Sequence, residues 1–230
     1  MSEEDYKILN EDFPNHDFNF KIIMIGDSGV GKSCLTMKAT KNLFENFYSS
    51  TVGFEFYTFN VKIKDKVIRL QIWDTCGQEM YRSLINGFYR SSSLAILVYS
   101  IDNDKSFESL ESWLNEIKGK GNPNIKIFLI GNKNDLGDIR SVSEEQAIKF
   151  YKEHGIDLFL EASAKTGFNA QKIFVEAART LLEQNLSYLE KESTEESRDS
   201  SRVCSEFSPE MHSILVLEDE NDKKAKKCCI

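Results

Sequence analysis

Residues 26–33, Gly26-Asp27-Ser28-Gly29-Val30-Gly31-Lys32-Ser33, place two glycines around four residues and follow them with a lysine and a hydroxyl. That spacing suits the binding of phosphate. Glycines let successive backbone N–H groups converge on phosphate oxygens. A helix opening at the end of the loop adds further N–H groups and a favourable dipole. Lys32 can then reach the β- and γ-phosphates, and the Ser33 hydroxyl can ligate Mg²⁺. Alone, the motif implies a nucleoside triphosphate and no particular base.

Two later segments address the base. Asn132-Lys133-Asn134-Asp135 and Glu161-Ala162-Ser163-Ala164-Lys165 each follow an apolar run. A carboxylate accepts two hydrogen bonds at once. Guanine offers Asp135 two adjacent donors, where adenine offers an acceptor and a C–H. A buried carboxylate should discriminate strongly between them. The backbone N–H of Ala164 can meet the guanine keto oxygen.

These groups need elements to position them. Phe20–Gly26 is a short apolar run ending in glycine, the pattern of a buried strand, and Gly31–Thr40 can continue as a helix. Phe59–Ile63 and Val67–Trp73 alternate around Lys64-Asp65-Lys66, which predicts an antiparallel hairpin. Leu94–Ser100, Ile125–Asn132 and Ile156–Ser163 read as further strands. Residues 104–119, 143–154 and 168–185 have helical spacing, the second opening with a capping box at Ser143 and Gln146. Strands alternating with helices predict an α/β fold with a mainly parallel sheet covered on both faces. Each phosphate- or base-facing segment then lies at the C-terminal end of a strand.

The 230 residues, 40% hydrophobic and 29% charged, suit one globular domain with appendages. Residues 1–19 form an acidic N-terminal extension with six acids and one lysine, expected to be a solvated tail rather than a signal peptide. Residues 20–186 are the nucleotide-binding domain. Residues 187–230 carry eleven acids and are expected to be mostly disordered, ending in four lysines and two cysteines. No apolar run approaches the length of a membrane span. No basic stripe with interleaved aromatics indicates nucleic acid. Five irregularly spaced cysteines in a chain expected not to be secreted do not suggest a disulfide framework, so reduced thiols are expected.

Over residues 19–186 the chain resembles a Ras-superfamily small GTPase. Five signature segments carry the likeness: the phosphate loop, Thr51 in Ser50-Thr-Val-Gly-Phe-Glu-Phe56, Asp74-Thr-Cys-Gly-Gln-Glu79, Asn132–Asp135 and Ser163–Lys165. The resemblance implies a P-loop GTPase domain whose six-stranded, mostly parallel sheet has one antiparallel edge strand, with five helices on both faces. It implies GTP as substrate, GDP as product and Mg²⁺ as cofactor. By resemblance Thr51 joins Ser33 on Mg²⁺ and Asp74 supports the ion. The Gly77 N–H meets the γ-phosphate, Gln78 orients the attacking water, and Phe44 stacks beside the base. Cys34, the residue after Ser33, also lies at the nucleotide. No arginine is placed to reach the γ-phosphate in cis, so hydrolysis is expected to be slow without an activating protein, which typically adds about 10³–10⁵ in rate.

Within the superfamily, the segments around Phe56, Trp73 and Phe88 resemble those of Rab proteins. They imply an effector face formed by Val52, Gly53, Phe54, Glu55, Phe56, Trp73 and Phe88. The resemblance further implies an exchange factor, an activating protein, effectors, a prenylation escort and a GDP-dissociation inhibitor as partners of a monomer in vesicle trafficking. Cys228 and Cys229 resemble the paired cysteines that Rab proteins prenylate; two lipids and four lysines would satisfy the two-signal requirement for stable anchoring. The expected place is the cytosolic face of an endomembrane or the plasma membrane, with a cytosolic pool. A GTP-bound scaffold that barely hydrolyses is the alternative, kept open by Cys76, which stands where alanine is usual. Cys76 reads as a tolerated small residue, or as an extra atom crowding the closed switch.

Overall fold

In a computed structural model, residues 5–44, 53–75 and 82–196 are described. The chain divides into two units, residues 1–187 and 188–230; in the second, the described residues 188–196 are helical. The elements are β1 (Tyr6–Leu9), β2 (Phe18–Ile25), α1 (Lys32–Lys41), β3 (Phe54–Ile63), β4 (Lys66–Thr75), α2 (Arg82–Ser91), β5 (Leu94–Ser100), α3 (Asp104–Glu108), α4 (Leu110–Lys120), β6 (Lys126–Asn132), α5 (Glu144–Glu153), β7 (Leu158–Glu161) and α6 (Ala170–Glu196). A 3₁₀ helix, Asn134–Ile139, follows β6.

The strands form one sheet in the order β1-β3-β4-β2-β5-β6-β7. From β4 through β7 every pair is parallel, and β3 pairs antiparallel with β4 in the expected hairpin, with Ile63 opposite Lys66. Strand β2 shows why its sequence is apolar without alternation. Ile22 and Met24 point into one core cluster with Leu35, Leu70 and Phe174, while Ile23 and Ile25 point into a second with Leu97, Trp113 and Leu129. A parallel sheet covered by helices on both faces buries consecutive side chains on opposite sides. Its carboxyl-terminal edge gathers the ends of β2, β4, β6 and β7, the place where open α/β sheets bind ligands.

Three expectations are corrected. The sheet has seven strands among the described residues rather than six, because Tyr6–Leu9 of the acidic extension pairs antiparallel with β3, Tyr6 facing Ile63 and Leu9 facing Asn60. An edge strand presents unpaired backbone groups, and this short segment covers those of β3. The following residues are tied down from the hairpin. The Asn60 amide donates to the carbonyls of Asn10 (2.8 Å) and Glu11 (2.9 Å), and the Arg69 guanidinium to that of Phe13 (2.5 Å). Second, the helix expected over 104–119 is two, α3 and α4, joined at Ser109; Asn103 caps α3 through a bond from Ser106 N. Third, α6 runs to Glu196, past the expected end at 185. The capping box at Ser143 and Gln146 opens α5 as expected, both reciprocal bonds being present.

Candidate functional site

The phosphate loop joins β2 to α1. Gly26 has φ +136° and lies so close to β5 that a Cβ would sit 2.1 Å from the Val98 carbonyl oxygen. Only glycine fits there, on both conformation and space. Lys32 and Ser33 open α1 and are buried. The Lys32 ammonium donates to the carbonyls of Gly26 (2.8 Å) and Asp27 (2.9 Å), so it lies back over the loop. Helix α1 begins at Gly31 without a side-chain cap and has no acid in its first turn. Its first N–H groups and positive dipole end therefore face no competing carboxylate from the helix itself.

Beside the loop, β4 delivers Asp74. It is fully buried, and the Ser33 hydroxyl donates to its Oδ2. Its Oδ1 is buried with no hydrogen-bond partner among the described residues. Burial pushes the carboxyl up to about 6, opposed by the Ser33 hydroxyl and by Lys32. An unsatisfied buried carboxylate oxygen costs roughly 1–3 kcal/mol or more. Hydroxyl and carboxylate oxygens together suit a hard divalent cation, and Mg²⁺ commonly takes one or two protein oxygens and completes its shell with water and phosphate. The residues present thus fit Mg²⁺.

The base-facing segments are tied to the loop by one side chain. The Asn132 amide donates to the Val30 carbonyl (2.8 Å) and accepts at Oδ1 from the Ala164 N–H (3.2 Å). A Cβ on Gly31 would stand 2.5 Å from the same amide. The Ala164 N–H is therefore shared with Asn132, and a guanine keto oxygen would have to share it too. Lys133 adopts the left-handed conformation, φ 65°, and turns the chain into the 3₁₀ helix, its ammonium 3.7 Å from Asp102. Asp135 accepts from the Ser163 hydroxyl (2.5 Å), with the largely exposed Lys165 ammonium 3.7 Å away. Glu161 at the end of β7 takes both guanidinium nitrogens of Arg140 (2.6 and 2.7 Å) and the Asn134 amide (2.6 Å). Bidentate pairs fix geometry as well as charge. That brace was not legible from the motifs alone.

The other assigned residues fall as follows. Ser28 and Gly29 are exposed at the loop's tip and Val30 is buried. Cys34 and Phe44 are half-buried against the first core cluster. Thr51, Val52, Cys76, Gly77, Gln78, Cys228 and Cys229 lie outside the described residues.

On the face of the β3–β4 hairpin opposite the first core cluster, the aromatic residues converge. Trp73 lies 4.8 Å from Phe88 and 5.4 Å from both Phe54 and Phe56, ring centre to ring centre. Phe54 and Phe56 are each 50% exposed, and Gly53 precedes them with φ +82°. Strand pairing sets Phe56 opposite Trp73 and Glu55 opposite Asp74. Lys21, missed in the sequence, stands 4.5 Å from the centre of Trp73 and 4.6 Å from that of Phe88. Its partial burial lowers its pKa, and a cation over aromatic faces is attracted to them.

The Ras family model matches residues 21–183. The chain is 42% identical over 167 residues to the dog (Canis lupus familiaris) Ras-related protein Rab-13, covering 73% of this chain and 82% of that protein. It is 41% identical over 167 residues to Ras-related protein RABF2b of Arabidopsis thaliana, covering 73% and 83%. The chain belongs to the Ras family, in its Rab branch. This Rab protein is a GTP hydrolase that acts in vesicle trafficking. The Rab relatives favour it over the non-hydrolysing scaffold. No helix among its described residues is long and apolar enough to cross a membrane.

Proposed function

We propose that residues 26–33 with Asp74 hold the Mg²⁺-bound triphosphate, and that Asn132, Asp135 and Ala164 select guanine. The carrying observation is the buried Ser33–Asp74 pair beside Lys32, with one carboxylate oxygen unsatisfied among the described residues, and the Asn132 amide that ties the base loop to the carbonyl of Val30. When bound, Mg²⁺ neutralises charge on the β- and γ-phosphates. Lys32 binds the phosphates as a cation released from its two carbonyls. Ser33 and Asp74 would hold the ion through the serine hydroxyl and the carboxylate. Thr51 and Gly77 sense the γ-phosphate, which makes the two switch segments dependent on it. Gln78 orients water. In-line attack needs positioning and charge neutralisation, and without a cis arginine, hydrolysis is slow until an activating protein supplies one.

We further propose that Phe54, Phe56, Trp73 and Phe88 form the effector face, and that Cys228 and Cys229 carry prenyl groups delivered by an escort. A GDP-dissociation inhibitor would then extract the lipidated protein from the cytosolic face of an endomembrane.

Asp135→Asn tests the base reading. An amide donates where the carboxylate only accepts, so GTP affinity should fall and affinity for xanthosine triphosphate, with a keto oxygen at C2, should rise. Isothermal titration with both nucleotides decides it; unchanged preference would remove Asp135 from the base site. Intact mass of protein from cells tests the lipids.

A further inference from the structure

The second residue of the phosphate loop is acidic, in a loop built to hold a polyanion. Like charges a few ångströms apart repel strongly where water is partly excluded, so the position of the Asp27 carboxylate matters. Asp27 accepts a 2.7 Å hydrogen bond at Oδ1 from the indole Nε1 of Trp113. Trp113 comes from α4, is fully buried, and is packed with Leu110, Leu114 and Ile117 into the second core cluster. Its helical spacing accounts for the burial of the ring but not for the direction of its N–H. The indole is a donor only, so it can satisfy a carboxylate and cannot exchange roles with it. The Asp27 backbone is meanwhile held from the other side: its carbonyl accepts from Lys32, and the preceding Gly26 is pressed against Val98.

We propose that Trp113 is a positioning residue for nucleotide binding: its buried N–H holds the Asp27 carboxylate on the α4 side of the phosphate loop, so that this charge does not oppose the triphosphate. The proposal rests on the assignment of residues 26–33 to the phosphates. It accounts for how an acid is tolerated at that position and assigns the core tryptophan a task beyond filling volume. Trp113 acts through Asp27 and needs no contact with the ligand.

The test is release of methylanthraniloyl-labelled GDP and GTP from the full-length chain with Mg²⁺, followed by fluorescence. Loss of a hydrogen bond to a charged group, with the charge freed, should speed release in Trp113→Phe by roughly tenfold or more. Asp27→Asn alone sets the reference for a background without the charge, and adding Trp113→Phe to it should change release little, since no freed charge remains. If Trp113→Phe speeds release as much in the Asp27→Asn background as in the wild-type chain, the cause is a packing defect and the proposal fails. It also fails if Trp113→Phe releases at the wild-type rate. Should Trp113→Phe not fold, benzothienylalanine at position 113 keeps the bicyclic shape and removes only the N–H, with the same outcomes required. A wild-type chain that takes up no labelled nucleotide overturns the phosphate-loop assignment along with the proposal; the other failures leave that assignment standing.

Discussion

Asn60 gives the strongest test of how the N-terminal segment is held. It is 1% exposed, on the outer face of β3, and its side chain makes three hydrogen bonds: Nδ2 to the carbonyls of Asn10 and Glu11, and Oδ1 from Arg69 Nε at 3.2 Å. Only the two bonds to Asn10 and Glu11 hold the segment, the Arg69 bond lying within the hairpin. At about 1 kcal/mol net for each, Asn60→Ala should remove roughly 2 kcal/mol of attachment. The two freed carbonyls lie on an exposed segment and can take up water, which brings the expected loss to about 1–2 kcal/mol. Arg69 keeps its bond to Phe13, and the Asp5–Arg179 ion pair (3.6 Å), whose Asp5 side chain is exposed, is present before and after the change and does not offset the loss. The segment covers a sheet edge and packs only the partly buried Ile8 against the first core cluster, so its opening leaves the buried residues of both clusters in place. Native-state amide exchange should therefore speed up for Tyr6–Leu9 by roughly 5- to 30-fold while β2 and β5 stay protected. The melting temperature should move less than the roughly 2–8 °C that the same loss would cause in one cooperative unit. If the β1 amides keep their protection in Asn60→Ala, the hydrogen bonds from β3 are not what holds the strap. If β2 loses protection equally, the strap is not a separate unit.

Two further perturbations follow from the geometry. Gly26→Ala would place a Cβ 2.1 Å from the Val98 carbonyl at φ +136°; nucleotide affinity by titration should fall at least tenfold, since either the loop or β5 must shift by more than a packed core allows. Phe56→Ala should weaken binding of a GTP-dependent effector by about 2 kcal/mol or more if Phe56 is an interface anchor. It should lower the melting temperature only slightly, because half of the ring is exposed; an unchanged effector affinity would move the anchor elsewhere on the aromatic cluster.

The chemistry was legible because its residues are contiguous and their backbone demands are unusual. Glycine at 26 and 31, the Lys32-Ser33 pair and Asp135 announce their roles within a few positions, and the apolar runs before them place each at a strand's end. Continuous apolar runs could also give the two-sided core. The same locality limits what can be read. Tyr6–Leu9 is four residues among acids, with no pattern of its own; it is a strand because the edge of β3 and the side chains of Asn60 and Arg69 stand ready to receive it. The Arg140–Glu161 pair spans 21 residues and the Trp113–Asp27 bond 86. The sequence by itself determined the ligand class and the strand–helix alternation, since short-range spacing encodes them, while the aromatic face followed from the family resemblance. Which buried N–H meets which carboxylate, and what covers the sheet's edge, only the tertiary structure decided, because those contacts depend on how distant segments pack.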